Sequence, residues 1–119
     1  MTSVGGEGAT ILDRLFEIVM TRRDERPEGS YVAQLLEGGL PAISEKIREE
    51  SEEVIGAARD EGDAALAHEV ADLLFHVWVM MASRDVAPEA VYAELARRFG
   101  IGGLEEKASR MGDQDDAAG

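Results

Sequence analysis

The stretch Val70-Ala-Asp-Leu-Leu-Phe-His-Val-Trp-Val-Met-Met-Ala82 is helix-length and apolar, broken only by Asp72 and His76, with Glu69 just before it. At about 100° per residue in an α-helix, Glu69, Asp72 and His76 fall within a sector of roughly 60°. Every other direction carries Val, Leu, Phe, Trp, Met or Ala. A helix apolar nearly all round is expected to be buried. Two carboxylates and an imidazole on its one polar stripe need partners, because an isolated buried charge costs more than a small domain can absorb. The stripe therefore calls for a cation, a metal ion or a substrate opposite it.

The preceding segment supplies more carboxylates. A long helix is expected from Pro41, a favourable first-turn residue, to about Arg59. Its apolar stripe is Ile43, Ile47, Val54 and Ala57, and the position that continues this rhythm between Ile47 and Val54 is Glu50. A carboxylate thus occupies a core position. Lys46, Glu49 and Glu53 lie on one shoulder of the stripe, while Glu45, Arg48, Glu52 and Arg59 point away. Asp60-Glu-Gly-Asp63 reads as a tight turn, with Asp63 capping the next helix. So short a connection makes the two helices antiparallel neighbours.

Outward from this pair, the chain shows two further helices and no strand pattern. Thr10 is placed to cap a first helix running to about Arg22, with Asp13 three residues on, and Ile11, Leu12, Leu15, Phe16, Ile18 and Val19 give it an apolar face. Residues 23–29 read as a loop through Pro27 and Gly29. Ser30 caps a short helical piece, Tyr31 to Leu36, that ends at Gly38-Gly39. Pro88 opens the last helix, with Val91, Tyr92, Leu95 and Phe99 apolar and Gly100 as its stop. The expected fold is all-α: an antiparallel bundle of four main helices in residues 10–112, its core completed by dimerisation because the 70–82 helix has no polar face to expose. Residues 1–9 are expected to be flexible and the acidic tail 113–119 disordered.

Composition narrows the function. The 119 residues carry a formal net charge of −13, with 45% apolar but only 5% aromatic residues and no cysteine. An acidic field of that size repels a nucleic-acid backbone. Lack of cysteine removes thiolate chemistry and fits a reducing cytoplasm. No secretory signal is visible in the N-terminal sequence, and the longest apolar run is too short and too polar at its centre to suggest a membrane span.

The constellation of interest is Glu49-Glu50-x-x-Glu53 on one helix and Glu69-x-x-Asp72 on its neighbour. Three-residue spacing puts two carboxylates on one helical face, and pairing the helices gathers up to five around a small volume. Like charges there repel and hold protons more tightly. A hard divalent cation with oxygen ligands, Mg²⁺ above all, reverses that penalty. A di-iron centre would want Glu-x-x-His on two helices, which this chain lacks. His76, one turn beyond Asp72, is read as a structural partner rather than a ligand. His68, Trp78, Met80 and Met81 are read as packing or subunit-interface residues, and Lys46 as a partner for the carboxylates or a contact for a substrate phosphate.

The strings EKIREESEEV and EVADLLFH resemble the MazG-like all-α nucleoside triphosphate pyrophosphatases, marked by E-E-x-x-E and then E-x-x-D. More narrowly, residues 12–110 are similar to the phosphoribosyl-ATP pyrophosphatases of histidine biosynthesis, through PEGSYV (27–32), LLEGGL, Lys46, DLLFH and RRFGIGGLEEKASR. That resemblance implies Mg²⁺ held by Glu50, Glu53, Glu69 and Asp72, with Glu49 a further ligand or the base that orients water, so that Glu49, Glu50 and Glu53 form the catalytic group. Water would cleave between the α- and β-phosphates of a nucleotide substrate in a cytoplasmic homodimer. Lys46, Arg22, Arg23, Arg97, Arg98, Lys107 and Arg110 are candidate phosphate contacts. The chain departs from the family's usual Gly-Glu-Glu-Ala with Arg48-Glu49-Glu50-Ser51, but Arg48 faces outward. Two other readings are a housekeeping pyrophosphatase for free nucleotides and a non-catalytic helical module that uses its acidic groove to bind a partner.

Overall fold

Two adjacent glycines decide how the polypeptide reaches the carboxylate helix. The computed structural model describes residues 8–100, so the expectations for residues 1–7, the 113–119 tail, Lys107 and Arg110 lie outside the described residues. Helix α1 spans Thr10–Glu25, α2 spans Tyr31–Asp60, α3 spans Asp63–Ser83 and α4 spans Pro88–Phe99. Helix α2 holds two helical segments, for Gly39 breaks it with φ 74° and ψ −169°. That region is essentially open only to glycine. Beside it, a Cβ on Gly38 would stand 2.6 Å from the Ala42 Cβ. Pro41 then starts the second segment, where its missing N–H costs nothing. Ser30 caps the first segment as expected, its Oγ accepting from the Ala33 N–H at 3.1 Å.

The described residues fall into two units, one reaching Val86 and the other beginning at Ala87. In the first, α2 and α3 share the largest interface, and α1 packs on both. The buried residues Ile43, Glu50 and Ala57 of α2, with Ile47 and Val54 half-buried between them, reproduce the expected stripe. Along α1, Phe16 and Val19 are buried. The Trp78 indole meets Phe16 edge-on at 6.4 Å and donates to the Leu12 carbonyl at 2.9 Å. Farther along, Arg23 donates to the Ala82 carbonyl at 3.0 Å and the Asp85 carboxylate at 2.7 Å. These contacts advance together along both chains, so α1 and α3 run in the same sense. Helix α4 ends at Gly100, φ 132°, as its sequence suggests. On it Glu94 binds Arg97 and Arg98, and the two guanidiniums pull its carboxyl down to about 2.

Several expectations need correction. Thr10 is the first residue of α1 and Ala9 its cap, with no side-chain cap bond. The helix also continues past Arg22 to Glu25, where Arg26 turns left-handed (φ 48°) and returns its N–H to the Arg22 carbonyl; two arginines in the last turn complement the helix dipole. At the 60–63 turn, Gly62 is the cap and Asp63 stands in the first turn of α3, where a carboxylate still favours the exposed N–H groups. Helix α3 is also less buried than its composition suggests. His76, Trp78, Val79 and Ala82 are buried, while Val70 and Leu74, one turn apart, are each 37% exposed. Among the described residues of its unit, α1 and α2 are the helices that flank it, and two neighbours cannot cover a full circumference. At 21 residues it is also long and apolar enough, by length and composition alone, to cross a membrane, which the shorter 70–82 run did not suggest.

Candidate metal centre

The antiparallel pairing of α2 and α3 brings Glu50 and Glu53 opposite Glu69. One carboxylate oxygen from each of the three lies within 4.8 Å of the others. Glu50 is 8% exposed, and its Oε1 is buried without a hydrogen-bond partner, as is the Oε1 of Glu69. Burial raises the Glu69 pKa, and Glu53 adds to the rise by sharing a hydrogen bond and by repulsion. Orphaned buried carboxylate oxygens are costly. Among the described residues no arginine or lysine pairs with Glu50, Glu53 or Glu69, and three converging carboxylates of this kind could hold a hard divalent cation.

Asp72 belongs to an adjoining group that shares Glu69. The Asp72 carboxylate, Glu69 and His68 again offer ligand atoms within 4.8 Å, and His68 Nε2 stands 3.4 Å from Asp72 Oδ2. Thus His68, read from sequence as a packing or subunit-interface residue, is an exposed neighbour of the acidic site; its four-residue spacing from Asp72 was the available signal. Glu49 joins neither group. It is exposed and accepts from the Lys46 ammonium at 3.1 Å, which places Lys46 at the edge of the site, one turn before Glu50. Arg48 is exposed and pairs outward with Glu45, so the departure from the family's usual glycine does not intrude.

The remaining basic candidates are placed differently. Arg22 is exposed on α1. Arg23 is committed to Ala82, Asp85 and Asp24, and the two carboxylates raise its pKa further. Arg97 and Arg98 pair with Glu94 in the second unit. His76 proves structural: it is buried, with Nδ1 2.8 Å from the Asp72 main-chain carbonyl and Nε2 2.8 Å from the Tyr31 hydroxyl. Tyr31 had no sequence signal linking it to this site, because 45 residues separate it from His76.

The family that the chain resembles through PEGSYV, DLLFH and GLEEKASR is matched along most of the chain. The sequence model of the family described as phosphoribosyl-ATP pyrophosphohydrolase matches residues 12–99. This chain belongs to that family. A phosphoribosyl-ATP pyrophosphatase of Rhodopirellula baltica is 50% identical over 107 residues, covering 87% of this chain and 89% of that protein. The similarly named protein of Methylococcus capsulatus is 47% identical over 100 residues, 84% of this chain and 95% of its own. A histidine biosynthesis bifunctional protein of Helicobacter hepaticus is 46% identical over 100 residues, but they span only 43% of that longer protein. As a member of this family the chain is a hydrolase acting on phosphoanhydrides, and the carboxylate cluster of α2 and α3 lies within the matched region.

Proposed function

We propose that the protein hydrolyses the α–β phosphoanhydride of phosphoribosyl-ATP, giving phosphoribosyl-AMP and pyrophosphate, as the second step of histidine biosynthesis. The observation that carries this reading is the pair of buried, unpartnered Oε1 atoms on Glu50 and Glu69 facing Glu53, inside a chain of this family. The donor set fits Mg²⁺, held by Glu50, Glu53, Glu69 and Asp72. Bound there, the ion neutralises triphosphate charge and orients the reacting groups.

The chain's own residues do the rest. Its acidic field would repel a polyphosphate, so the carboxylates act by gathering the cation rather than touching phosphate. Glu49, exposed beside this group, accepts a proton from the attacking water and aligns it. Lys46 pairs with Glu49 at the edge of the carboxylates, and its ammonium contacts a phosphate oxygen. The uncovered apolar positions Val70 and Leu74 of α3, with Ile11 and Ile18 of α1, are the surface on which a second copy completes the core. A helix with this polar stripe turned towards α2 serves a homodimer better than a lipid bilayer, and the cysteine-free composition agrees with the cytoplasm.

The deciding experiment is pyrophosphate release from phosphoribosyl-ATP, with and without Mg²⁺, beside ATP, dCTP and dUTP. Selective, Mg²⁺-dependent cleavage of phosphoribosyl-ATP is expected, and Asp72→Asn abolishes it. Preference for a free nucleotide would replace the substrate and keep the site. No cleavage of any substrate would overturn the catalytic reading.

A further inference from the structure

The hydrolysis above makes no use of His68, whose ring nitrogen joins the carboxylates of α3. The sequence holds two histidines. The other, His76, has both nitrogens engaged, Nδ1 2.8 Å from the Asp72 carbonyl and Nε2 2.8 Å from the Tyr31 hydroxyl. On α3, Glu69 and Asp72 are three residues apart and His68 and Asp72 four, so successive turns bring the three side chains together. Their ligand atoms converge within 4.8 Å, with His68 Nε2 3.4 Å from Asp72 Oδ2. That is beyond the roughly 3.2 Å reach of an N–H···O bond. Two donors that each stand about 2.1 Å from one zinc ion at the tetrahedral angle lie about 3.4 Å apart.

Acidic side chains on a helix are ordinarily a solvated face, but this group is tied to a buried one. Glu69 also converges with Glu50 and Glu53. Glu50 is 8% exposed, and its Oε1, like that of Glu69, is buried without a hydrogen-bond partner. We propose that His68, Glu69 and Asp72 form a nitrogen-bearing face of the metal centre that takes a divalent transition cation of the zinc and cobalt class, beside the all-oxygen face that suits Mg²⁺. Mg²⁺ is a hard ion that keeps oxygen ligands and water, whereas a neutral imidazole suits zinc and nickel. Charge agrees with this assignment: two carboxylates neutralise a dication, and the neutral ring adds a donor without adding charge. The His68 side chain is 70% exposed, so it turns onto the ion without disturbing the core. The inference rests on the reading of the carboxylate cluster as a metal centre and is independent of which nucleotide is cleaved.

The test uses the full chain, free of any affinity tag and stripped with EDTA, with Zn²⁺ and Mg²⁺ as the probes. Two histidines give two imidazole patterns in a long-range ¹H–¹⁵N spectrum, and the hydrogen-bonded His76 is the internal control. Zn²⁺ is expected to move the His68 pattern to that of a metal-bound ring and to leave His76 in place, while Mg²⁺ moves neither to that position. In calorimetry, His68→Gln is expected to weaken Zn²⁺ at least tenfold, since even the outer partners of a metal ligand are worth about 10–100-fold. The same variant is expected to change Mg²⁺ affinity by less than about twofold, because that ion does not depend on a nitrogen donor. Equal weakening of both ions would mean that His68 acts through charge alone and would overturn the proposal. So would unchanged Zn²⁺ affinity in His68→Gln, or a His68 pattern unmoved at saturating Zn²⁺. If the wild type binds Mg²⁺ and fails these tests, this face falls and the all-oxygen centre stands; if it binds neither ion, both readings fall.

Discussion

Replacing Glu50 by glutamine removes one charge from the centre of the carboxylate cluster while keeping its shape. Two unit charges no more than 4.8 Å apart repel by at least about 3 kcal/mol at an effective dielectric of roughly 20. Glu53 is exposed and Glu69 only half-buried, so water and salt screen that figure, leaving about 1–2 kcal/mol relieved by the substitution. The new amide also donates to the orphaned Glu69 Oε1. Metal-free Glu50→Gln is therefore expected to be more stable than the wild type by about 1–2 kcal/mol, with an unfolding midpoint several degrees higher. Mg²⁺ reverses the order. A cation that binds only the folded state stabilises it by mass action, and the variant has lost the charge that holds it. The assay is urea and thermal unfolding followed by circular dichroism, with EDTA and with saturating Mg²⁺. If the metal-free variant is less stable than the wild type, or Mg²⁺ protects both equally, these carboxylates are not a repelling set that a cation resolves.

The same cluster fixes a pH dependence. Burial and Glu53 raise the Glu69 pKa above its ordinary 4.5, so between those values the folded state holds a proton that the unfolded chain has released. Metal-free stability is then greatest below 4.5 for this group and falls as pH climbs through the raised value. Glu69→Gln is expected to flatten that fall in unfolding curves across the pH range. Gly39→Ala forces an L residue into φ 74°, ψ −169°; a loss of about 1–3 kcal/mol is expected in urea unfolding.

Reading by periodicity succeeded wherever one helix's own geometry settles the matter. Glu50 was legible as a core carboxylate because it falls on the Ile43, Ile47, Val54, Ala57 stripe, and it is buried there. The outward placement of Arg48, Ser30 as a cap and the break at Gly38-Gly39 were legible for the same reason: each depends on residues within one or two turns. Expectations failed where a partner decides. Arg23 was a candidate phosphate contact by its charge, and its tie to Asp85, 62 residues away, had no local signal. Helix α3 was expected to be covered with the help of a second copy; within the single chain flanking helices set how much of it is covered, and Val70 and Leu74 remain open.

From sequence alone came the helical class and the two carboxylate motifs, because helical periodicity and motif spacing are short-range properties of the chain, and the family came through its resemblance in PEGSYV and GLEEKASR. Only the tertiary structure decided which carboxylate oxygens lack partners, that His68 adjoins the site, and that His76 faces Tyr31. Those facts depend on the packing of α2 against α3 and on the break at Gly39, which place side chains from distant positions within reach of one another. No local pattern encodes such distances, since a helix specifies its own faces and leaves to packing which neighbour each face will meet.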